Sequence, residues 1–353
     1  MLQRIVFDCE RMKYFNTGLY HYSLNLGLHL QTQADPRREE INFFVPQQIQ
    51  GKFGDTTQYI KQHSLQKFYM PPLKGFDIWH CTYQSSAYVP KRNRRIKVVL
   101  TIHDLNFIYE KKEELKKASY LHHLQKNIDR SDAIVCISDF CRQDVLRYCD
   151  TGTKPVYVIY NGTNELKSPE LYSHSYKPER PFLFSLGVMC RKKNFHVLLP
   201  LLQQEQNLEL LIAGRLDDPS YLDFIQQSAR DMRVEDNLRV LGNISEPEKS
   251  WYYQNCYAFA LPSIAEGFGL PVTEAMSAGK PVFLSNKTAL PEIGSSAAFY
   301  FRDFSALHMQ NVFRQGMQQY TAARMEPMIR QRSELFCWTK AAKAYLNVYR
   351  SLY

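Results

Sequence analysis

The sequence holds no stretch near the ~18 uninterrupted apolar residues of a membrane-spanning helix. Its opening, MLQRIVFDCERMKYF, has one short apolar run and then charges, without the apolar core and small-residue cleavage site of a signal peptide. Glycine (15) and proline (17) are too few for a collagen-like or low-complexity chain. None of the eight cysteines (Cys9, Cys81, Cys136, Cys141, Cys149, Cys190, Cys256 and Cys337) forms a CxxC pair, and no Cys/His cluster has zinc-ligand spacing. A chain with a large core needs no disulfide framework, so buried reduced thiols in a cytoplasmic protein are expected. Disorder is excluded by 44% hydrophobic and 22% charged residues. What is present is a 353-residue chain, long enough for two domains, with net charge +9, which suggests an anionic partner.

Short β-rich runs alternate with amphipathic helices. Strands are expected at Arg4–Asp8, Ile41–Val45, Ile78–Cys81, Val98–Ile102, Ala133–Ile137 and Val156–Tyr160, with helices such as Leu19–Leu30 and Glu113–Asp129 between them. The alternation resumes at Phe182–Leu186, Glu209–Ala213, Leu238–Leu241, Tyr257–Leu261 and Pro281–Leu284. This is the pattern of an α/β chain with two parallel sheets covered by helices. The polar, proline-containing stretch Glu165–Pro181 reads as a linker. The expected division is therefore a first domain over 1–165, a linker over 166–180, a second domain over 181–335 and a terminal helix over 336–353. Ligands of open parallel sheets sit outside the carboxyl ends of the strands. That singles out Asp8, Glu10, His80, His103, Asp104, Ser138, Asp139 and Asn161, and later Cys190 to Asn194, Gly214, Arg215 and Pro262 to Glu266.

The sharpest feature is LPSIAEGFGLPVTEAMSAGKPV, residues 261–282. A strand ends at Pro262, a turn carries Glu266 and Gly267-Phe268-Gly269, Pro271 fits the first position of a helix, and Glu274 falls in its first turn. Glycines permit close backbone approach and a helix start attracts phosphate. Two carboxylates there can accept sugar hydroxyls. Equally, Glu274 complements a helix dipole and Glu266 is a solvated loop residue.

This segment resembles the E-x7-E signature of the retaining GT-B glycosyltransferases of family 4. FLFSLGVMCRKKNFHVLLPLL, LELLIAGRL, LRVLGNIS and SNKTALPEIGSSAAFYF are similar to family segments and follow in the family's order, as do VLTIHDLNF, AIVCISDFCRQDV and VIYNGTN before them. The resemblance implies two Rossmann-like domains facing a cleft. It implies that Glu274 holds the ribose hydroxyls, that Glu266 contacts the transferred sugar, and that the backbone of Gly267, Phe268, Gly269 and Leu270 lies against sugar and diphosphate. Lys193 neutralises the diphosphate, with Lys192 or Arg191 as companion. Many members have arginine after the glycine matching Gly187, where this chain has Val188. Gly18, Gly214, Asn243 and Ile244 belong to the same implied donor site. The base is read near Gly242–Ser245. The acceptor site draws on Arg11, Tyr14, Asn16, Thr17, His103, Asp104 and Ser138, with His103 near the transferred sugar. His103 also reads as a core histidine. The sequence has no Asp-x-Asp motif, so no metal or other cofactor is expected beside the nucleotide sugar.

The implied function is transfer of a hexose from a nucleoside diphosphate sugar, best matched to mannose from GDP-mannose. The acceptor is a glycan or lipid-linked oligosaccharide, and the product an α-linkage in cell-surface polysaccharide. The alternatives are a GT-B nucleotide-sugar epimerase and an inactive glycan-binding subunit. Residues 1–165 carry 23 Lys and Arg against 17 Asp and Glu. Their densest clusters are Lys91-Arg92-Asn93-Arg94-Arg95-Ile96-Lys97 and Lys111, Lys112, Lys116 and Lys117 beside Phe107, Tyr109 and Tyr120. Basic residues among aromatics suit an anionic membrane surface, and no nucleic-acid motif accompanies them. A cytoplasmic protein, peripheral on the inner face of the plasma membrane, is expected.

Overall fold

Strand segments apolar at every position belong to sheets buried on both faces. Phe182–Phe184 and Ala258–Leu261 are buried at every residue. The computed structural model describes residues 2–15, 17–166 and 175–353. The chain divides into two units, Met1–Gly162 with Phe336–Tyr353, and Thr163–Leu335.

The first unit has seven strands: β1 Gln3–Asp8, β2 Glu39–Val45, β3 Tyr59–Lys61, β4 Ile78–Cys81, β5 Lys97–Ile102, β6 Ala133–Cys136 and β7 Val156–Val158. They form one parallel sheet in the order β3-β2-β1-β4-β5-β6-β7. Its helices are α1 Gly18–Gln33, α2 Glu114–Arg130 and α3 Asp139–Tyr148. Thr17 caps α1 and Ser138 caps α3, each side chain accepting a backbone N–H of the first turn. The C-terminal helix Trp338–Arg350 belongs to this unit. It is fastened by hydroxyls: Tyr345 meets Tyr22 at 2.8 Å and Thr101 at 2.9 Å, and Tyr349 meets His80 Nδ1 at 2.6 Å.

The second unit holds β8 Phe182–Leu186, β9 Glu209–Ala213, β10 Leu238–Gly242, β11 Ala258–Leu261, β12 Val282–Ser285 and β13 Phe299–Phe301. Their parallel order is β10-β9-β8-β11-β12-β13. The helices are α4 Leu199–Gln204, α5 Pro219–Asp231, α6 Glu246–Asn255, α7 Leu270–Ser277, α8 Leu290–Gly294, α9 Ala306–Ala322 and α10 Glu326–Ser333.

Each sheet starts in its middle and grows outward both ways. The winding therefore reverses between β1 and β4 in the first unit and between β8 and β11 in the second. The loops leaving the carboxyl ends of those neighbours splay apart, which makes the crevice that ligands of doubly wound sheets occupy.

The three-residue edge strands β3 and β13 escape the sequence reading, and the seventh strand ends at Val158 rather than Tyr160. The division falls after Gly162 rather than after residue 165, because Thr163 and Asn164 bond to Ser333 and Glu274 of the second unit. Most of the expected linker, 167–174, lies outside the described residues.

Candidate active site

In the second unit the loops leaving β8 and β11 bring the predicted donor residues together. After β8 the chain makes a 3-10 turn over Arg191–Lys193 and reverses at Asn194, whose left-handed φ of 59° suits asparagine. Lys193 Nζ lies 2.5 Å from Glu266 Oε1, in the loop after β11. Ser263 Oγ donates to the same oxygen at 2.7 Å, and the Glu266 N–H donates to Thr288 Oγ1 at 2.9 Å. Burial pushes the Glu266 carboxyl up. The Lys193 charge, with hydrogen bonds from Lys193 and Ser263, outweighs it and holds the carboxyl below its ordinary value. The side chains of Lys193 and Glu266 are 11% and 12% exposed, so a ligand can reach them. An ammonium has three donors and Glu266 takes one.

Of the two proposed companions, Lys192 adds its charge to the field at Glu266. The Arg191 guanidinium instead lies over Tyr221 and Phe224 of α5, 5.8 and 5.4 Å from the ring centroids. Gly214 follows β9 with φ of 135°, and a Cβ there would stand 2.0 Å from the Gly187 carbonyl oxygen, so only glycine fits. Asn243 and Ile244 lie between β10 and α6, Asn243 exposed and Ile244 half-buried.

The expected position of Glu274 needs correction. Gly269, in the left-handed region at φ 102°, caps α7, which begins at Leu270. Pro271 is therefore the second helical residue and Glu274 the fifth, beyond the first turn, so a dipole role for it lapses. Glu274 is 2% exposed. Its Oε1 accepts from Asn164 Nδ2 at 2.6 Å and from Lys249 Nζ at 3.2 Å, and Lys249 also pairs with Glu246 at 2.8 Å. Burial pulls the Lys249 ammonium down, but the two carboxylates more than restore its charge.

In the first unit the strand ends converge on His103, which follows β5 and is 7% exposed. Its Nε2 lies 2.8 Å from the Thr82 carbonyl, an acceptor, so Nε2 carries the proton and Nδ1 is the free lone pair. The Tyr22 ring meets it edge-on at 4.6 Å. Burial, reinforced by the charge of Arg11, overrides the carbonyl bond and lowers its pKa to about 4, so the ring is neutral at physiological pH. Asp8 closes β1, 1% exposed, accepting the Glu10 N–H at 2.9 Å and the Ser86 hydroxyl at 3.1 Å. Burial drives its pKa up to about 7 against the pull of those bonds.

Other expected acceptor residues have local duties. Ser138 is fully buried and Thr17 half-buried, and both are helix caps. Asp104 accepts the Asn106 N–H at 3.0 Å. Gly18, expected in the donor site, opens α1 in the first unit with empty space where a Cβ would stand. Arg11 lies over the Tyr14 ring, and Asn16 falls outside the described residues. Among the described residues, no three His, Cys, Asp or Glu side chains gather as a metal site. All eight cysteines are free, five of them buried. Ser263 falls in the Pro262 to Glu266 strand end that the sequence singled out, whereas Thr288, Lys249 and Asn164 escaped the sequence reading as site residues.

Comparison with known proteins shows what the chain is similar to. Residues 171–301 match the family model described as Glycosyl transferases group 1, and residues 39–165 match Glycosyltransferase Family 4. O-antigen chain mannosyltransferase B of Escherichia coli is 25% identical over 99% of this chain and 100% of the relative. O-antigen chain mannosyltransferase RfbU of Salmonella typhimurium is 26% identical over 57% of this chain and 55% of its own length. Among solved structures, sucrose-phosphate synthase of Thermosynechococcus elongatus superposes with a TM-score of 0.77 at 18% identity, over 99% of both chains. Anabaena HepE in complex with UDP and glucose gives 0.74 at 15% identity, over 99% of this chain and 100% of that one. With both of its halves matched by glycosyltransferase models, the chain belongs to the GT-B glycosyltransferases of the family 4 type.

Proposed function

We propose that the protein is a retaining hexosyltransferase that moves mannose from GDP-mannose onto an acceptor glycan or lipid-linked oligosaccharide, forming an α-linkage in O-antigen or related surface polysaccharide. The observation that carries this reading is the Lys193–Glu266 pair at the β8/β11 switch point. Lys193 turns its remaining N–H groups to the donor diphosphate and balances the charge that grows as the sugar–phosphate bond breaks. Glu266 accepts hydroxyls of the transferred sugar, and Glu274 those of the ribose. The acceptor hydroxyl adds to the anomeric carbon on the face the diphosphate leaves, and a diphosphate oxygen takes its proton. His103, neutral, offers Nδ1 to a sugar hydroxyl. The relatives' mannosyltransferase names support the donor sugar.

The reaction in this reading is metal-independent, because Lys193 and Lys192 supply the positive charge. A panel of GDP-mannose, UDP-glucose and UDP-N-acetylglucosamine, with lipid extract as acceptor, tests it. GDP-mannose turnover that survives chelator and gives an α-linked product is expected. Turnover of UDP-sugars alone sinks the donor assignment, a β-linked product sinks retention, and manganese rescue of a chelated enzyme sinks metal independence.

The lipid-linked acceptor favours peripheral contact with an anionic membrane through the first unit. No helix among the described residues is long and apolar enough to cross a membrane. Leu65, Phe68 and Tyr69 are 78%, 85% and 56% exposed, and Arg92 lies over the Tyr69 ring. Lys112, Lys116 and Lys117 are paired with Glu110, Glu113 and Glu114, which leaves the Lys91–Arg95 cluster as the better contact. Neutralising Arg92, Arg94 and Arg95 should abolish binding to anionic liposomes, and unchanged binding would remove this part of the reading.

A further inference from the structure

Arg11 lies in the loop leaving β1, and Tyr83 in the loop leaving β4, so both stand at the switch point of the first sheet. The Arg11 guanidinium is 4.3 Å from the Tyr83 ring centroid and 4.9 Å from that of Tyr14. Contacts of this kind hold a planar cation in a fixed orientation. Its edge is unused. Among the described residues the Arg11 side chain makes no hydrogen bond, and Nε is buried without a partner. It is one of seven buried side-chain nitrogen and oxygen atoms without a partner among the described residues, and a buried donor left empty costs free energy that an acceptor would recover.

The carboxylate that pairs with it, Glu10, is 4.0 Å from Nη1, beyond a hydrogen bond, and is already bonded closely to Lys13. Glu10, Arg11 and Lys13 together leave one net positive charge. The charge of Arg11 is felt at both His103 and Asp8, at the carboxyl ends of β5 and β1 of the same sheet.

We propose that Arg11, held by Tyr14 and Tyr83, is the binding site for a phosphate or diphosphate group carried by the acceptor. This deepens the glycosyltransferase reading and rests on it for the word acceptor. The guanidinium fork matches two phosphate oxygens, and Lys13, by pairing with Glu10, leaves the Arg11 charge uncancelled in this loop. The shared chemistry is a phosphate ester, whether it links sugar to a lipid carrier or decorates a soluble sugar.

The test uses the full chain saturated with GDP, titrated with inorganic pyrophosphate, then with farnesyl diphosphate and a hexose 1-phosphate. Pyrophosphate should bind beside GDP. Arg11→Gln should weaken it by about 10- to 100-fold, the loss of one or two charge-assisted hydrogen bonds. GDP affinity should stay near its wild-type value. Arg11→Lys, which keeps the charge, should recover part of the loss and guards against a misfolded glutamine variant. Tighter binding of farnesyl diphosphate than of hexose phosphate identifies a lipid carrier, and the reverse a soluble phosphosugar. The proposal is overturned if pyrophosphate does not bind, binds both variants as it binds the wild type, or is lost together with GDP. A protein that binds no nucleoside diphosphate but still takes pyrophosphate through Arg11 would sink the glycosyltransferase reading and leave the anion site standing.

Discussion

The two units use the same sheet twice and treat charge at the same place in opposite ways. At the β8/β11 switch point the cation Lys193 is paired with a carboxylate 2.5 Å away, and Ser263 and Thr288 brace that carboxylate. At the β1/β4 switch point the cation Arg11 is gripped by two aromatic faces, with no hydrogen bond from its side chain among the described residues and Glu10, shared with Lys13, 4.0 Å away. Buried titratable groups also differ. The second unit keeps Glu266 and Lys249 charged by pairing them, whereas burial without an ion partner holds His80 and His103 neutral and raises Asp8 in the first. A parallel sheet fixes where a ligand sits but not how it is held. In the proposed reading, the pairing in the second unit suits a site that must carry a full diphosphate charge through bond breaking.

Removing one member of the paired site breaks the comparison most severely. Lys193→Ala leaves Glu266 buried and unneutralised and strips the diphosphate of its cation. A loss of at least ~100-fold in kcat is expected, read by initial rates at saturating donor. Gly214→Ala drives a Cβ into the Gly187 carbonyl at a φ only glycine tolerates, and should destabilise the second unit by about 2–4 kcal/mol in chemical denaturation.

The unpaired groups of the first unit give a pH signature. Asp8 is raised to about 7, so the folded state holds a proton the unfolded chain releases near pH 4. Its contribution is present at low pH and lost as pH rises through about 7. His103 and His80, lowered to about 4 and about 3, act oppositely: their contribution is present above about pH 6.5 and lost as pH falls through those values. Asp8→Asn should therefore be more stable than the wild type by about 1–3 kcal/mol at pH 8, with the gain shrinking as pH falls and gone only below about pH 4, as read by urea midpoints. The smallest effect belongs to Tyr345→Phe, which removes a hydroxyl from the Tyr22–Thr101 cluster and should cost about 1 kcal/mol.

How much of this was legible in the sequence follows from range. The four-to-six-residue apolar runs placed most strands, because a strand buried on both faces needs no partner information to be seen. β3 and β13 were missed because each is a three-residue edge strand, too short to stand out as an apolar run. Lys193 and Glu266 could be read through family resemblance, although they are 73 positions apart. The brace around Glu274 could not, because Asn164 and Lys249 lie 110 and 25 positions away and are ordinary polar residues in their own segments. Tyr14 is a local neighbour of Arg11, but Tyr83 reaches it only because β1 and β4 pair. Glu274 was misplaced by one residue because proline fits either of the first two helical positions, and the left-handed Gly269 decided between them.

The central claim is that the paired cation of the second unit holds a nucleoside diphosphate. Calorimetric titration of GDP into the wild type and Lys193→Gln, with circular dichroism confirming that both are folded, tests it directly. The account predicts binding to the wild type and a loss of about 100-fold or more in the variant; equal affinity for the two proteins would contradict it.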